Sequence, residues 1–182
     1  MEGMVKQPIP SSTPDSAPKP ERELPIIGNS VRIKVAGIPR VPAKVDTGAT
    51  ISSIWASDIT LNAENQLEFC LFAPGNEYYT GERIVVDEYK VRNVRNSTGQ
   101  ESVRYLVTLP TVIKGKRLRL SYTLADRSRN DFPILIGRRA LAGKFLVDVS
   151  KLGVAYPPHP INNSLNDELQ ADPQKFHKKY MK

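Results

Sequence analysis

The sharpest chemical signal in the chain is the run Ala43-Lys44-Val45-Asp46-Thr47-Gly48-Ala49-Thr50. An apolar stretch leads straight into Asp-Thr-Gly and then into small, hydroxylated residues. Gly48 allows a tight backbone turn, and the Thr47 hydroxyl can hydrogen-bond within the loop. Asp46 is then presented at a strand end among backbone donors, as a proton-transferring carboxylate must be. The triplet also fits an ordinary Asp-Gly turn. A second run adds to it: Asp131-Phe132-Pro133-Ile134-Leu135-Ile136-Gly137-Arg138-Arg139-Ala140-Leu141 reads as an apolar strand, a glycine and a short helix. Gly137 would allow close backbone packing where strand meets helix.

Other chemistries find little support. Cys70 is the one cysteine of the chain, which excludes an internal disulfide and every paired-cysteine zinc motif. The two histidines, His159 and His177, both lie in the last quarter, leaving a histidine metal site little to draw on. No Gly-x-x-x-x-Gly-Lys-Ser/Thr phosphate loop occurs. No metal and no cofactor is therefore expected. The first residues, Met1-Glu2-Gly3-Met4, open no apolar signal region, and no apolar run reaches the ~20 residues of a membrane helix. A cytoplasmic protein without membrane contact is expected.

The elements that must position these residues are mostly strands. Val31-Arg32-Ile33-Lys34-Val35 and Leu118-Arg119-Leu120-Ser121-Tyr122-Thr123-Leu124 alternate apolar and polar residues, as half-buried strands do. Further strands are expected over 41–45, 67–72, 84–86, 89–94 and 103–109. Turns are expected at Gly37-Ile38-Pro39, Asn96-Ser97-Thr98-Gly99 and Lys114-Gly115-Lys116. Within this unit only residues 138–142 look helical. Many short strands at close spacing predict a mainly β, single-lobed small barrel or sandwich with one short helix, not a βαβ fold.

Prolines mark the boundaries. Six of the 15 fall between Pro8 and Pro25, among Ser, Thr, Lys and Glu, and predict a disordered segment over 1–24. Pro157, Pro158 and Pro160 end the apolar patterning, so 25–155 is expected to fold and 156–182 to form a tail with a short helix near 165–169. The whole chain carries 26 basic and 19 acidic side chains, and residues 26–150 hold 18 and 12 of them. The basicity thus belongs to the folded unit. It fits either a solvated surface or an acidic partner.

Taken in order, Asp-Thr-Gly, a hairpin-rich middle and Ile-Leu-Ile-Gly-Arg resemble the retropepsins, the single-lobe aspartic proteases of retroviral type. The chain looks closest to the bacterial group long labelled ATP-dependent zinc proteases. Residues 43–53, 124–128, 132–141 and 143–150 carry the likeness. The resemblance implies a closed retropepsin-type barrel and an aspartic peptidase. Asp46, Thr47 and Gly48 would be its catalytic loop. With no second Asp-Thr/Ser-Gly in the chain, two copies would meet on a two-fold axis, each giving Asp46. Ala49 and Thr50 would line the substrate cleft beside them.

Retropepsins close a β-hairpin flap over the substrate. Asn96, Ser97, Thr98 and Gly99 are the expected tip, although the insert over 70–83 could equally cover the site. In a fold of this type the Ile-Leu-Ile-Gly end lies near the Asp-Thr-Gly loop, so Arg127, Arg129 and Arg138 are expected to border the cleft and to favour an acidic, Glu-rich peptide. The chain departs from the family pattern at Thr50, where retroviral enzymes place an Asp that meets the Arg after the Ile-Gly motif. Arg138 would need another partner. Where a His is common in the bacterial group, Trp55 stands, which counts against zinc. The competing readings are a catalytically silent module of this fold binding an acidic partner, and a nucleic-acid binder. Few aromatics (7%) and no interleaving of rings with basic residues count against the latter.

Overall fold

The computed structural model describes residues 23–95, 99, 101–154 and 164–180. The first strands are β1 (Ile26–Ile27), β2 (Ser30–Val35), β3 (Ile38–Val45), β4 (Ser52–Leu61), β5 (Leu67–Leu71) and β6 (Arg83–Val86). Then come β7 (Tyr89–Arg95), β8 (Glu101–Ile113), β9 (Lys116–Ala125), β10 (Ile134–Ile136), helix α1 (Arg138–Leu141) and β11 (Leu146–Val147). Two helices follow, α2 (Ser164–Ala171) and α3 (Pro173–Tyr180).

Six strands close a ring. β10 runs parallel to β3, pairing Ile134 with Ala43 and Ile136 with Val45. β3 pairs β2, β2 pairs β8, and β8 pairs β9, all antiparallel. β9 runs parallel to β4, and β4 returns to β10, with Ile134 opposite Ile54. The fold is thus mainly β, as the alternating strands predict, and of the barrel or sandwich they left open it is the closed barrel that the resemblance implies. β5 and β6 extend from β4. β7 lies on the outer reach of β8.

Alternation explains what fills the barrel. In β2, Val31, Ile33 and Val35 are buried while Arg32 and Lys34 face out. In β9, Leu120, Tyr122 and Leu124 point inward, and Arg117, Arg119 and Ser121 outward. Ile134, Ile136 and Ile54 are fully buried where the ring closes. Burial of each such side chain stabilises the fold by about 1.5–3 kcal/mol. The closure that aligns β10 with β3 is therefore held by the core itself.

Some expectations shift. The first hairpin turn is Ala36-Gly37, both at positive φ (45° and 91°), and Ile38 already pairs with Val35. Two positive-φ residues match the twist of a two-residue hairpin, so the turn sits one residue earlier than 37–39. Lys114-Gly115 forms the expected turn in the same way. β4 is an additional strand of 10 residues: Trp55 is half-buried against the core, its N–H donating to the Pro133 carbonyl at 2.9 Å. Cys70 is buried. Two helices, not one, follow the barrel. The segment read as disordered lies, over residues 1–22, outside the described residues.

A short ribbon ties the ends of the unit together. β1 runs parallel to β11, pairing Ile26 with Leu146. Beyond it the Val154 N–H donates to Ser30 Oγ at 2.8 Å, and the Gly153 N–H to Asn29 Oδ1 at 3.1 Å. A Cβ on Gly153 would fall 2.0 Å from the Ser30 carbonyl oxygen, so only glycine allows this approach.

Candidate active site

Asp46 follows the last residue of β3, and its backbone is fixed by neighbours on both sides. The Val45 N–H donates to the Asn29 carbonyl at 2.8 Å, and the Asp46 N–H to the Ile136 carbonyl at 2.9 Å. The chain then turns back over its own carboxylate. Oδ1 of Asp46 accepts from the Gly48 N–H at 2.9 Å and the Ala49 N–H at 3.0 Å. Two backbone donors on one oxygen orient the carboxylate. Among the described residues no hydrogen bond reaches Oδ2, which leaves that oxygen available. The Thr47 side chain is exposed.

The start of α1 is stitched to this loop. The Arg138 and Arg139 N–H groups donate to the carbonyls of Ala49 (2.8 Å) and Thr50 (3.2 Å). The Gly137 N–H donates to Ser52 Oγ at 3.1 Å. A Cβ on Gly137 would sit 2.7 Å from the Ile51 carbonyl carbon and 3.0 Å from the Ala49 oxygen. The glycine is thus required by close backbone approach. The partner that Arg138 needs is Thr50 itself: Nη2 donates to Oγ1 at 3.0 Å.

Asp46, Gly48 and Ala49 form one wall of a cleft of about 660 Å³. The facing wall comes from the β7–β8 hairpin and the segment after β9, with Arg95, Arg104, Asp126 and Arg127. Arg127 is half-buried and its Nε donates to the Phe132 carbonyl at 3.1 Å. Burial, with the nearby Arg104 charge, pushes its guanidinium down to about 10, and Asp46 opposes the shift. It stays charged at neutral pH. The Ser128 N–H and hydroxyl hold the Asp126 carboxyl below the usual range. Arg95 is engaged by Glu101, with Nε 2.9 Å from Oε1.

The expected site residues therefore separate. Asp46, Gly48, Ala49 and Arg127 meet in the cleft. Thr47 and Thr50 lie on the loop behind it, with Arg138 bound to Thr50. Arg129 is exposed and does not line the cleft. The expected flap arms are paired from Tyr89–Val107 to Arg95–Glu101. Asn96, Ser97 and Thr98 lie outside the described residues, while Gly99 has a φ of 83°. Val94, Arg95 and Arg104 on those arms reach the cleft, whereas nothing from 70–83 does. Arg95 and Arg104, which the sequence did not single out, line the cleft through the pairing of β7 with β8.

A family model described as the retropepsin-like aspartic endopeptidase RimB matches residues 26–158. The chain belongs to this RimB-like family. Within it, the Asp-Thr-Gly loop and the Ile-Leu-Ile-Gly strand are where the fold brings them, side by side. The chain is 32% identical over 121 residues to a probable alpha-L-glutamate ligase of Shewanella pealeana, covering 63% of this chain and 26% of that one. A relative of the same description from Parasynechococcus marenigrum is 27% identical over 138 residues, covering 74% and 28%. The chain thus spans about a quarter of the length of these relatives. The crystal structure of Lpg0085 from Legionella pneumophila, a protein described as of unknown function, matches with a TM-score of 0.55 at 22% identity. The match covers 71% of this chain and 97% of that one, and shows a shared fold.

Proposed function

We propose that the chain is an aspartic endopeptidase working as a homodimer, each copy giving one Asp46, on acidic, Glu-rich peptide. The observation that carries this is the Asp46 carboxylate itself. One oxygen is held by two backbone N–H groups, and the other is open to a cleft faced by three arginines.

Two such carboxylates brought within a few ångströms cannot both ionise cheaply, so the pair shares one proton and titrates as a unit. The ionised member takes a proton from water as general base, and the resulting hydroxide equivalent attacks the amide carbonyl. The protonated member donates to the carbonyl oxygen. Collapse of the tetrahedral species then expels the amine, which takes a proton from the dyad. Support for the dimer comes from the terminal ribbon, where Ile26, Leu146, Val149 and Leu152 are 45%, 55%, 76% and 89% exposed. This apolar edge adjoins the Asn29–Val45 contact that leads into Asp46. Support for the substrate comes from Arg95, Arg104 and Arg127, and from relatives whose name associates them with glutamate.

The test is Asp46→Asn, with circular dichroism as a check on folding. Cleavage of a Glu-rich peptide should fall to background while the fold persists. Retained cleavage in a folded variant would remove the aspartic mechanism.

A further inference from the structure

Outside the Asp46 cleft, the outer face of β7, β8 and β9 carries two adjoining grooves of about 350 and 460 Å³. They share Leu106, Ser121 and Arg139, so they form one continuous track. Arg117, Arg119 and Lys144 border one end, and Lys90 and Arg92 the other, with Arg139 at the junction. One acidic residue, Glu88, lines it. Arg117, Arg119, Arg139, Lys90 and Arg92 are exposed, and among the described residues none of them forms an ion pair. The track meets the cleft directly: Arg92 lies opposite Arg104 across the β7–β8 pair, and Arg104 lines the Asp46 cleft. Like charges directly opposite each other destabilise a sheet, so an anionic ligand would relieve this arrangement.

From this juxtaposition we infer that the track is an exosite for an acidic polypeptide segment, binding it away from the bond to be cut. The peptidase reading supplies the expectation that the ligand is a polypeptide. The lining supports the same choice. Ile51, Leu106 and Leu118 give the floor an apolar character suited to side chains. A nucleic acid would need free rings to stack on. Tyr89, the aromatic residue of the track, is already used: its ring stands edge-on to Tyr105 at 5.7 Å, and its hydroxyl donates to the Asn65 carbonyl at 2.9 Å. Arginine forks along the track suit carboxylates, and Ser121 and Thr108 add hydroxyls between them.

The test is read without catalysis, so that its failure and that of the peptidase reading stay distinct. The 182-residue chain carrying Asp46→Asn is titrated into a fluorescein-labelled peptide of Glu-Leu-Glu-Ala repeats, followed by fluorescence anisotropy. Adding Arg119→Gln with Arg139→Gln should weaken binding roughly tenfold, as loss of two partly exposed charge pairs would. Lys90→Gln with Arg92→Gln, at the other end of the track, should do the same. Circular dichroism selects the pair that remains folded. The Gln analogue of the peptide should bind weakly to the unsubstituted track, and added salt should weaken the Glu peptide. Unchanged affinity in a folded double variant would overturn the exosite. Binding of a single-stranded RNA oligonucleotide as tightly as the peptide would overturn the choice of polypeptide.

Discussion

Arg138 Nη2 donates to Thr50 Oγ1 at 3.0 Å, joining α1 to the Asp46 loop across 88 positions of chain. A neutral hydroxyl here takes the guanidinium that the family pattern gives to a carboxylate. Thr50→Asp should convert the hydrogen bond into an ion pair and stabilise the fold by up to about 1 kcal/mol, less at high salt. Thr50→Val should cost about 1 kcal/mol. Urea unfolding at two salt concentrations measures both, and a salt-independent gain in Thr50→Asp would contradict the ion pair.

Gly137→Ala should be far more damaging. Its Cβ would meet the Ile51 carbonyl carbon and oxygen at 2.7 and 2.8 Å, which are backbone atoms that cannot swing aside. A loss of about 1–3 kcal/mol is expected. Activity should fall with it, because α1 would be pushed off the loop that holds Asp46. A denaturation midpoint equal to that of the parent would show that the approach is looser than described.

Tyr122 links stability to alkaline pH. Burial pushes its phenol from 10.0 up to about 12, with the Thr111 hydroxyl opposing. The folded value lies above the unfolded one, so folding favours the neutral form. That contribution is fully present below pH 10 and is lost as pH rises towards about 12. The loss is at most about 1.4 kcal/mol per pH unit. Tyr122→Phe, which keeps the ring, should be less stable than the parent at neutral pH and close the gap above pH 10. Parallel stability–pH curves for the two proteins would refute this.

Arg127 and Arg129 should behave differently, since only Arg127 lines the cleft. Arg127→Gln should raise KM for Glu peptides several-fold with kcat little changed, as loss of uniform binding does. Arg129→Gln should leave both constants as they are. The Arg127 effect should shrink for Gln peptides and in high salt. Equal effects of the two substitutions would mean that general surface charge governs binding.

Assembly makes the fifth prediction. If only the dimer holds a complete pair of carboxylates, activity should fall more steeply than linearly on dilution. Ultracentrifugation over the same range identifies the species. Strict proportionality where only monomer sediments would defeat the two-copy mechanism.

Much of this was legible in the chain, for physical reasons. β2 and β9 declare themselves because one face is buried and one solvated, so residue type alternates along them. β10 and Gly137 are visible because Ile134 and Ile136 are buried, Leu135 between them is apolar and half-buried, and the turn admits no side chain. β1 and β11, with two residues each, hold no period to read and exist only through their mutual pairing. β4 begins with buried residues and ends with exposed ones, which blurs its alternation. The same limit applies at the site. Asp46 is fixed by local turn chemistry, but Arg95 and Arg104 reach the cleft through the register of β7 on β8, which no local pattern encodes. Arg129 sits near Arg127 in sequence, but only Arg127 is turned into the cleft.

The parallel pairing of β3 with β10 has a consequence for synthesis. The Asp46 N–H finds its acceptor on Ile136, and Ala43 to Val45 align only with Ile134 to Ile136. A ribosome adds about 5–20 residues per second, so the triplet waits several seconds before its supporting strand emerges. Pairings between such distant segments also form slowly. A nascent or prematurely terminated chain therefore carries Asp-Thr-Gly without the geometry that orients it, and translation itself delays the completed loop until the barrel can close around it.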